Sequence, residues 1–420
     1  MNATRRQFLL AAGLLPLVGT SRAAGSRVVV IGGGWGGLSA ARHLRALAPE
    51  LDVVLIDRQP AFISFALSNR WLVDAAAARA PERHDYTALA KGWGYRFLQA
   101  EVQAVDRAAR IVVAGGERLS YDWLVIAPGI RENWAAWKVD DPATIVELRR
   151  RHAGAMFQSS ELPGLKQRLA RFKGGDLLMT IPPAPYRCPP APYERALLIA
   201  WWLKKQKIPG KLLIVDPNPM MPAFRDILLD RYEQQITYFD HAKVRQIDPA
   251  RQMVSTDIDD IHFDEALLCP PQQAADLIWQ AELIRPEPGG RPSGWAGQGA
   301  VDFRSPADGR VFIIGDACGL VSPSFGSYPK TGHVANRMGL AVARQIASEA
   351  TGKNYPAVLP ESVCHVQSSV EPNESVHIDA RYRDRGDGFL LQTVKQTRNP
   401  NPAGEDVAWA ETMYRDFLRP

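Results

Sequence analysis

Residues 27–57 constrain the fold more than any other stretch of the chain. Arg27-Val28-Val29-Val30-Ile31 is an apolar, β-branched run that leads straight into Gly32-Gly33-Gly34-Trp35-Gly36-Gly37. Gly32, Gly34 and Gly37 satisfy G-x-G-x-x-G. Leu38, Ala41, Leu44 and Leu47 then follow at helical spacing, and a second apolar run, 53–56, ends in Asp57, 20 residues after Gly37. A strand, a glycine turn, a helix and a strand ending in an acid form a dinucleotide-binding βαβ unit. The glycines let the backbone approach a pyrophosphate, and the acid accepts from a ribose hydroxyl. The pyrophosphate sits at the helix N-terminus, where free N–H groups and the helix dipole favour an anion.

Two later segments specify FAD rather than NAD. Tyr121-Asp122-Trp123-Leu124-Val125-Ile126-Ala127-Pro128-Gly129 reads as the strand that closes an FAD domain and leads out of it through Gly129. Arg310-Val311-Phe312-Ile313-Ile314-Gly315-Asp316-Ala317 reads as the second FAD signature, in which Gly315 and Asp316 meet the ribityl chain. Pro329-Lys330-Thr331-Gly332-His333 then opens a helical pattern through Leu340, Val342, Ala343 and Ile346. Lys330, Thr331 and Gly332 are thereby placed to stabilise negative charge on a reduced flavin. The middle region repeats a strand–helix–strand plan over 177–181, 196–207 and 212–216.

The expected fold is α/β, with two Rossmann-like domains of the FAD/NAD(P)-binding disulfide-reductase type plus a C-terminal region. The expected division gives 24–141 and 269–350 to the FAD-binding domain and 142–268 to the second domain. Residues 351–420 read as a polar, irregular tail that ends in an amphipathic stretch with Trp409, Tyr414 and Phe417.

The first 23 residues read as an address rather than as fold. Thr4-Arg5-Arg6-Gln7-Phe8-Leu9-Leu10 is a twin-arginine start, an apolar run extends to Val18, and Ser21-Arg22-Ala23 offers a cleavage site. The expected location is periplasmic, reached by the twin-arginine route. Loss of Arg5, Arg6 and Arg22 lowers the formal charge from +5 to +2, a balance that gives no reason to expect a nucleic-acid partner. No later stretch is long and apolar enough for an integral membrane segment after signal cleavage. Glu361 stands where a c-type haem motif ending in Cys364-His365 would need its first cysteine, so no haem is expected on this chain. The scattered histidines predict no metal site.

The second domain lacks what an NADH site needs. No glycine lies between Asp176 and Pro209. The loop after its first strand is Pro182-Pro183-Ala184-Pro185-Tyr186-Arg187-Cys188-Pro189-Pro190 instead. A thiol stands where a second phosphate cradle would be, which points to sulfur chemistry beside the flavin. A helix start after Cys188 would lower the thiol pKa. Glu194, six residues on, serves either as a helix N-terminal charge or as a proton acceptor for incoming hydrosulfide.

The run Arg187-Cys188-Pro189-Pro190-Ala191-Pro192-Tyr193-Glu194-Arg195 resembles the motif of the flavoprotein subunit of flavocytochrome c sulfide dehydrogenase. Pro270-Pro271-Gln272, 314–317 and 329–333 resemble the same family. The resemblance implies a redox-active disulfide between Cys188 and Cys364 above the flavin, with Cys318 as the rival partner. It implies sulfide as substrate, polysulfide or sulfur as product, and a c-type cytochrome subunit as electron acceptor. The chain departs from the family in three places. Phe65 takes the position of a cysteine that links FAD covalently in many members, so FAD is expected to be noncovalent. Residues 318–328 form a longer Gly- and Ser-rich segment, expected to reshape the approach to the flavin. His365 replaces a tyrosine after Cys364. Two other readings use the same residues: a sulfide:quinone oxidoreductase, and an accessory flavoprotein of a thiosulfate-oxidising (Sox-type) system that docks a sulfur-carrier protein. A quinone enzyme needs an apolar docking surface near its C-terminus. Here 381–388 is too polar for that and 409–418 is short.

Overall fold

The structure is a computed structural model that describes residues 25–76 and 78–420; the expected signal segment lies outside the described residues. The β-branched strand Arg27–Ile31 is buried on both faces, as the middle of a parallel sheet requires. It pairs in parallel with Asp52–Asp57 on one side and Trp123–Ile126 on the other. Arg96–Gln99 extends the sheet beyond Asp52–Asp57. The chain leaves this sheet after Trp123–Ile126 and returns to it with Asp308–Ile313, which pairs in parallel with the strand it left. Arg304–Ser305 closes the edge antiparallel.

The helices Trp35–Leu47 and Gly332–Thr351 cross on this sheet at backbone contact. A Cβ on Gly339 would stand 2.4 Å from the carbonyl oxygen of Gly36. The excursion between the two halves forms a second parallel sheet in the order Ile236–Asp240, Gly210–Asp216, Gly175–Thr180, Glu265–Leu267. The outgoing and returning connections are laced together where Ile130–Glu132 pairs antiparallel with Gln272–Ala274.

The tail differs from its expected irregularity. Ser362–Ser369, Glu374–Asp384 and Leu390–Asn399 form an antiparallel sheet, and Glu405–Phe417 is a helix. Most of the last strand is solvent-exposed, so its Gln, Lys, Thr and Arg side chains carry no alternating apolar signal. The helix turns its apolar residues inward. Tyr414 and Phe417 are buried and lie 5.9 and 5.1 Å from the ring of Trp35, and the Phe417 carbonyl accepts from Trp93 Nε1 at 3.1 Å. The Tyr414 hydroxyl is paired with that of Ser64 at 2.8 Å. This helix therefore closes the first domain over the glycine turn. Phe417→Ala is expected to cost about 3–5 kcal/mol, the usual toll for emptying a full aromatic site. Denaturant unfolding of the variant checks this, and a midpoint unchanged from wild type would show that the helix is not part of the cooperative core.

Candidate active site

Two cavities of about 320 and 490 Å3 run end to end and share Gly34, Phe62, Ile63, Phe65 and Arg187 as walls. The glycine turn explains how the trough is held open. A Cβ on Gly37 would meet the Gly32 carbonyl at 1.8 Å, and one on Gly32 would meet the Ala127 carbonyl at 2.2 Å. These glycines serve close packing. A Cβ on Gly34 would meet nothing within 4 Å, so its open face is the place where a pyrophosphate can lie. At the larger cavity, the Asp57 carboxylate accepts from Gly33 N at 2.7 Å and Gln59 N at 2.8 Å, and burial holds its pKa above the ordinary value. Gly129, Gly315, Asp316, Lys330, Thr331 and Gly332 all line the smaller cavity. The trough thus has an acid at one end, an open glycine in the middle and a helix start at the other, which fits an extended FAD.

Lys330 is a buried cation, not a solvated surface charge. Its ammonium donates to the carbonyls of Asp316 (2.9 Å) and Cys318 (2.8 Å) and lies 3.7 Å from the centre of the Trp295 ring. Burial brings its pKa down to about 8. Thr331 caps the helix by accepting from Val334 N, so the helix N-terminus and the ammonium both favour negative charge in the cavity. Arg187 was missed by the sequence reading. Its Nε donates to Asp316 Oδ2 at 2.7 Å and its backbone N donates to Gln272 Oε1 at 2.8 Å. Its position inside the Cys-Pro-Pro motif was the signal available. Asp316, expected to meet the ribityl chain, is also the partner of a guanidinium.

Cys188 and Cys364 line the same cavity, although they lie far apart in sequence. All four cysteines are free thiols in this structure. Cys188 sits in a left-handed conformation, φ 52°, and is held there by two backbone hydrogen bonds. Its N donates to the Lys330 carbonyl at 2.7 Å, and its carbonyl accepts from Ala191 N at 2.9 Å. Such a backbone costs a non-glycine residue about 1–3 kcal/mol.

The strand carrying Cys364 is fixed on both sides of it. Val363 N donates to His333 Nδ1 at 2.9 Å, and Gln367 N donates to Glu194 Oε1 at 2.8 Å. Burial, with Arg337 and Arg381 nearby, brings the His333 pKa down to about 3, so its ring is a neutral acceptor. Glu194 also accepts from Asn69 Nδ2 at 2.6 Å, and Asn69 Oδ1 accepts from buried Arg195 at 2.9 Å. The Glu194 carboxyl is thus a bridge between elements rather than a cap, and burial raises its pKa.

The expected lowering of the Cys188 pKa is not found. Burial pushes the thiol up to about 12, and the charges of Glu194 and Asp316 push the same way. The helix begins at Ala191, not at 196, and two prolines separate Cys188 from it, while a dipole acts only within the first turn. Burial also raises the Cys364 thiol well above its ordinary value. Cys318 is directed into the core, where its thiol donates to the Ile313 carbonyl at 3.3 Å, and it does not line the cavity. Cys269 is buried against Gly154, and the Thr180 hydroxyl accepts from its backbone N at 2.8 Å and donates to its carbonyl at 3.4 Å. The segment 318–328 does not reach the cavity wall either. It folds into a small hairpin, and Phe325 and Tyr328 pack on Tyr382 of the C-terminal sheet.

The second sheet's own nucleotide position is closed. Asp216 ends its second strand, where a ribose-binding acid would stand, but it is 0% exposed. Its Oδ2 accepts from the hydroxyls of Tyr193 (2.7 Å) and Tyr238 (2.6 Å), and its Oδ1 accepts from Asn218 N and Nδ2 at 2.8 Å each. Every acceptor site that a ribose would use is occupied by the protein.

Residues 164–269 match the family described as the central part of the flavoprotein chain of flavocytochrome c sulfide dehydrogenase, and residues 26–152 match the pyridine nucleotide-disulphide oxidoreductase family. The sulfide-quinone reductase of Aquifex aeolicus (strain VF5) is 24% identical over 350 residues, covering 77% of this chain and 76% of that protein. A 43-residue stretch is 49% identical to the flavocytochrome c sulfide dehydrogenase flavoprotein chain of Chlorobaculum thiosulfatiphilum, over 10% of this chain and 90% of that sequence. The crystal structure of the Aquifex aeolicus sulfide:quinone oxidoreductase superposes with a TM-score of 0.72 at 20% identity, covering 94% and 93% of the two chains. A putidaredoxin reductase superposes with a TM-score of 0.62 at 15% identity, covering 94% of each chain.

Fold and trough together define an FAD-dependent oxidoreductase of the FAD/NAD(P)-binding disulfide oxidoreductase class. Within that class the chain is homologous to sulfide-quinone reductase and to the flavoprotein chain of flavocytochrome c sulfide dehydrogenase.

The two kinds of glycine predict two outcomes. Gly34→Val is expected to fold but to lose FAD, since its side chain fills the open face. Gly37→Val is expected to fail to fold, since its side chain meets the Gly32 carbonyl. Flavin content and circular dichroism of the purified variants check both. Gly34→Val with full flavin content would remove the assignment of the cradle.

Proposed function

We propose that the chain is an exported sulfide dehydrogenase, periplasmic by the twin-arginine route, that oxidises sulfide at a Cys188–Cys364 disulfide and passes electrons through noncovalent FAD to a c-type cytochrome. One observation carries this reading: two half-buried cysteines and a half-buried carboxyl, Glu194, line one flavin-sized trough whose neighbouring NADH position is closed by Asp216 and two tyrosines.

Hydrogen sulfide gives a proton to Glu194, whose raised pKa suits it to hold one. The hydrosulfide attacks one Sγ of the pair. An S–S bond forms, the Cys188–Cys364 bond breaks, and the other cysteine leaves as a thiolate. Bound FAD supplies a two-electron acceptor that can release its electrons one at a time. A second sulfur nucleophile lifts the terminal sulfur off the persulfide as polysulfide or sulfur. Raised pKa values keep the resting thiols protonated at neutral pH, so the reactive thiolate is the one released by attack on the disulfide. Phe65 lines the trough, and the cysteines among its described lining residues are Cys188 and Cys364, which supports noncovalent FAD.

The similarity to sulfide-quinone reductase favours quinone as the rival acceptor. Against it, Met413, Tyr414, Phe417 and Leu418 of the last helix are buried in the fold, and no helix among the described residues is long and apolar enough to cross a membrane. Anaerobic titration with sodium sulfide tests the reading. The wild-type flavin band is expected to bleach, and Cys188→Ser is expected to leave it at least about a hundredfold slower to respond, the scale of losing a covalent step. Equal bleaching in both proteins would rule out the disulfide route. A wild type that does not respond would favour the accessory role with a sulfur-carrier protein.

A further inference from the structure

His365 takes the place of the family's tyrosine, and it sits between two spaces. It lines the reaction trough, and together with His377 it lines a separate pocket of about 370 Å3 whose rim residues Thr397, Arg398 and Glu405 are exposed. The two histidines stand directly opposite each other on neighbouring strands. Their ring centres are 4.5 Å apart, and Nδ1 faces Nδ1 at 3.5 Å. On the other side of His365, the Trp409 ring lies 6.2 Å away and also lines the trough. The strand packs on the helix Ala191–Gln206, which carries Glu194, and on the helix Glu405–Phe417, which carries Trp409.

We propose that the His365–His377 pair is the proton exit of the trough, carrying protons released from sulfur to the water of the outer pocket. This rests on the sulfide reading above. Each hydrogen sulfide brings two protons. Glu194 takes the first and hands it to the cysteine thiolate that leaves. The second is left on the persulfide, Sγ–S–H. That S–H bond breaks, the electron pair stays on the terminal sulfur, and the proton goes to Nε2 of His365. His365 releases its Nδ1 proton to Nδ1 of His377, which gives up its own Nε2 proton to the outer pocket. No electron moves in this step, and two tautomer changes reset the pair.

Two imidazoles facing through nitrogen share one proton, because a second would place like charges at contact. Glu405 and Asp406 approach the pair from the last helix, and Asp406 is held by Arg70 at 2.5 Å. Arg398 belongs to the third strand and is tied to Glu374 at 3.6 Å. His333 of the helix Gly332–Thr351 lies across Trp409 and is neutral, and Glu194 lies on the strand's other side. Burial and His377 hold His365 below the usual histidine range, with Asp406 and Glu405 partly opposing them, so the ring is a free acceptor at neutral pH.

Two measurements test the exit. In the reduced holoprotein labelled with 15N-histidine, His365 is expected to titrate in two coupled steps. In His377→Gln it is expected to titrate in one step at higher pH. Identical titrations of His365 in the two proteins overturn the pairing. In anaerobic stopped flow with a pH-indicator dye in weak buffer, wild type is expected to release protons as fast as it consumes sulfide. His377→Gln and His377→Asn are expected to lag by at least about tenfold, with recovery in added imidazole. Release from a sulfide-active variant at the wild-type rate overturns the exit alone. A wild-type protein that leaves sulfide untouched removes the sulfide reading itself, and the exit with it.

Discussion

The hydrogen bond from Cys188 N to the Lys330 carbonyl is the join on which the rest of the site depends. It ties the loop of the second sheet to the residue that precedes the last helix of the first sheet. On the same two segments, the Lys330 ammonium reaches back to the carbonyls of Asp316 and Cys318, and Arg187 reaches the Asp316 carboxylate. One short stretch thereby sets the thiol, the cation and the flavin-facing acid with respect to one another. These contacts are buried or half-buried, so loss of one partner leaves a charge or polar group without water to replace it, an unsatisfied group that costs more than the bond itself contributes. The strained backbone of Cys188 is tolerated because two hydrogen bonds over-determine it.

A second buried pairing shapes the other domain. In the second sheet, the helix after the Cys188 loop brings Tyr193 onto Asp216, and the aromatic ring of Phe224 stacks on Tyr193 at 5.6 Å. The acid that would hold a nucleotide has become a buried anchor for tyrosines. The domain keeps a parallel strand order while its acid is buried, and the loop after its first strand places Cys188 in the wall of the trough.

Much of the first domain was legible because its signals are local. The glycine turn, the acid 20 residues on and the later Gly315-Asp316 segment each need only their neighbours in sequence to be read, and all line the trough. Three things were not legible. The Cys188 thiol was expected to be acidic from its place before a helix, but burial depends on residues from the other sheet and the C-terminal strand, and burial wins. The ion pair between Arg187 and Asp316 joins residues 129 positions apart, with no periodicity to announce it. The C-terminal sheet hid because its outer strand faces solvent, so polar residues there reflect exposure and not irregularity. Cys364 itself was found through resemblance to a family. Nothing in the pattern of its strand marks it.

The strand that carries Cys364 also has a consequence for timing. It lies in the last sixth of the chain, and its anchors, His333, Glu194 and Arg70, come from three earlier parts of the molecule. During synthesis, the glycine turn and both parallel sheets are complete before this strand exists. A nascent or shortened chain therefore lacks the second sulfur, the strand that seats it and the part of the trough wall formed by Val363, Val366, Trp409 and Met413. The two thiols meet across one wall only when the whole polypeptide has closed on itself.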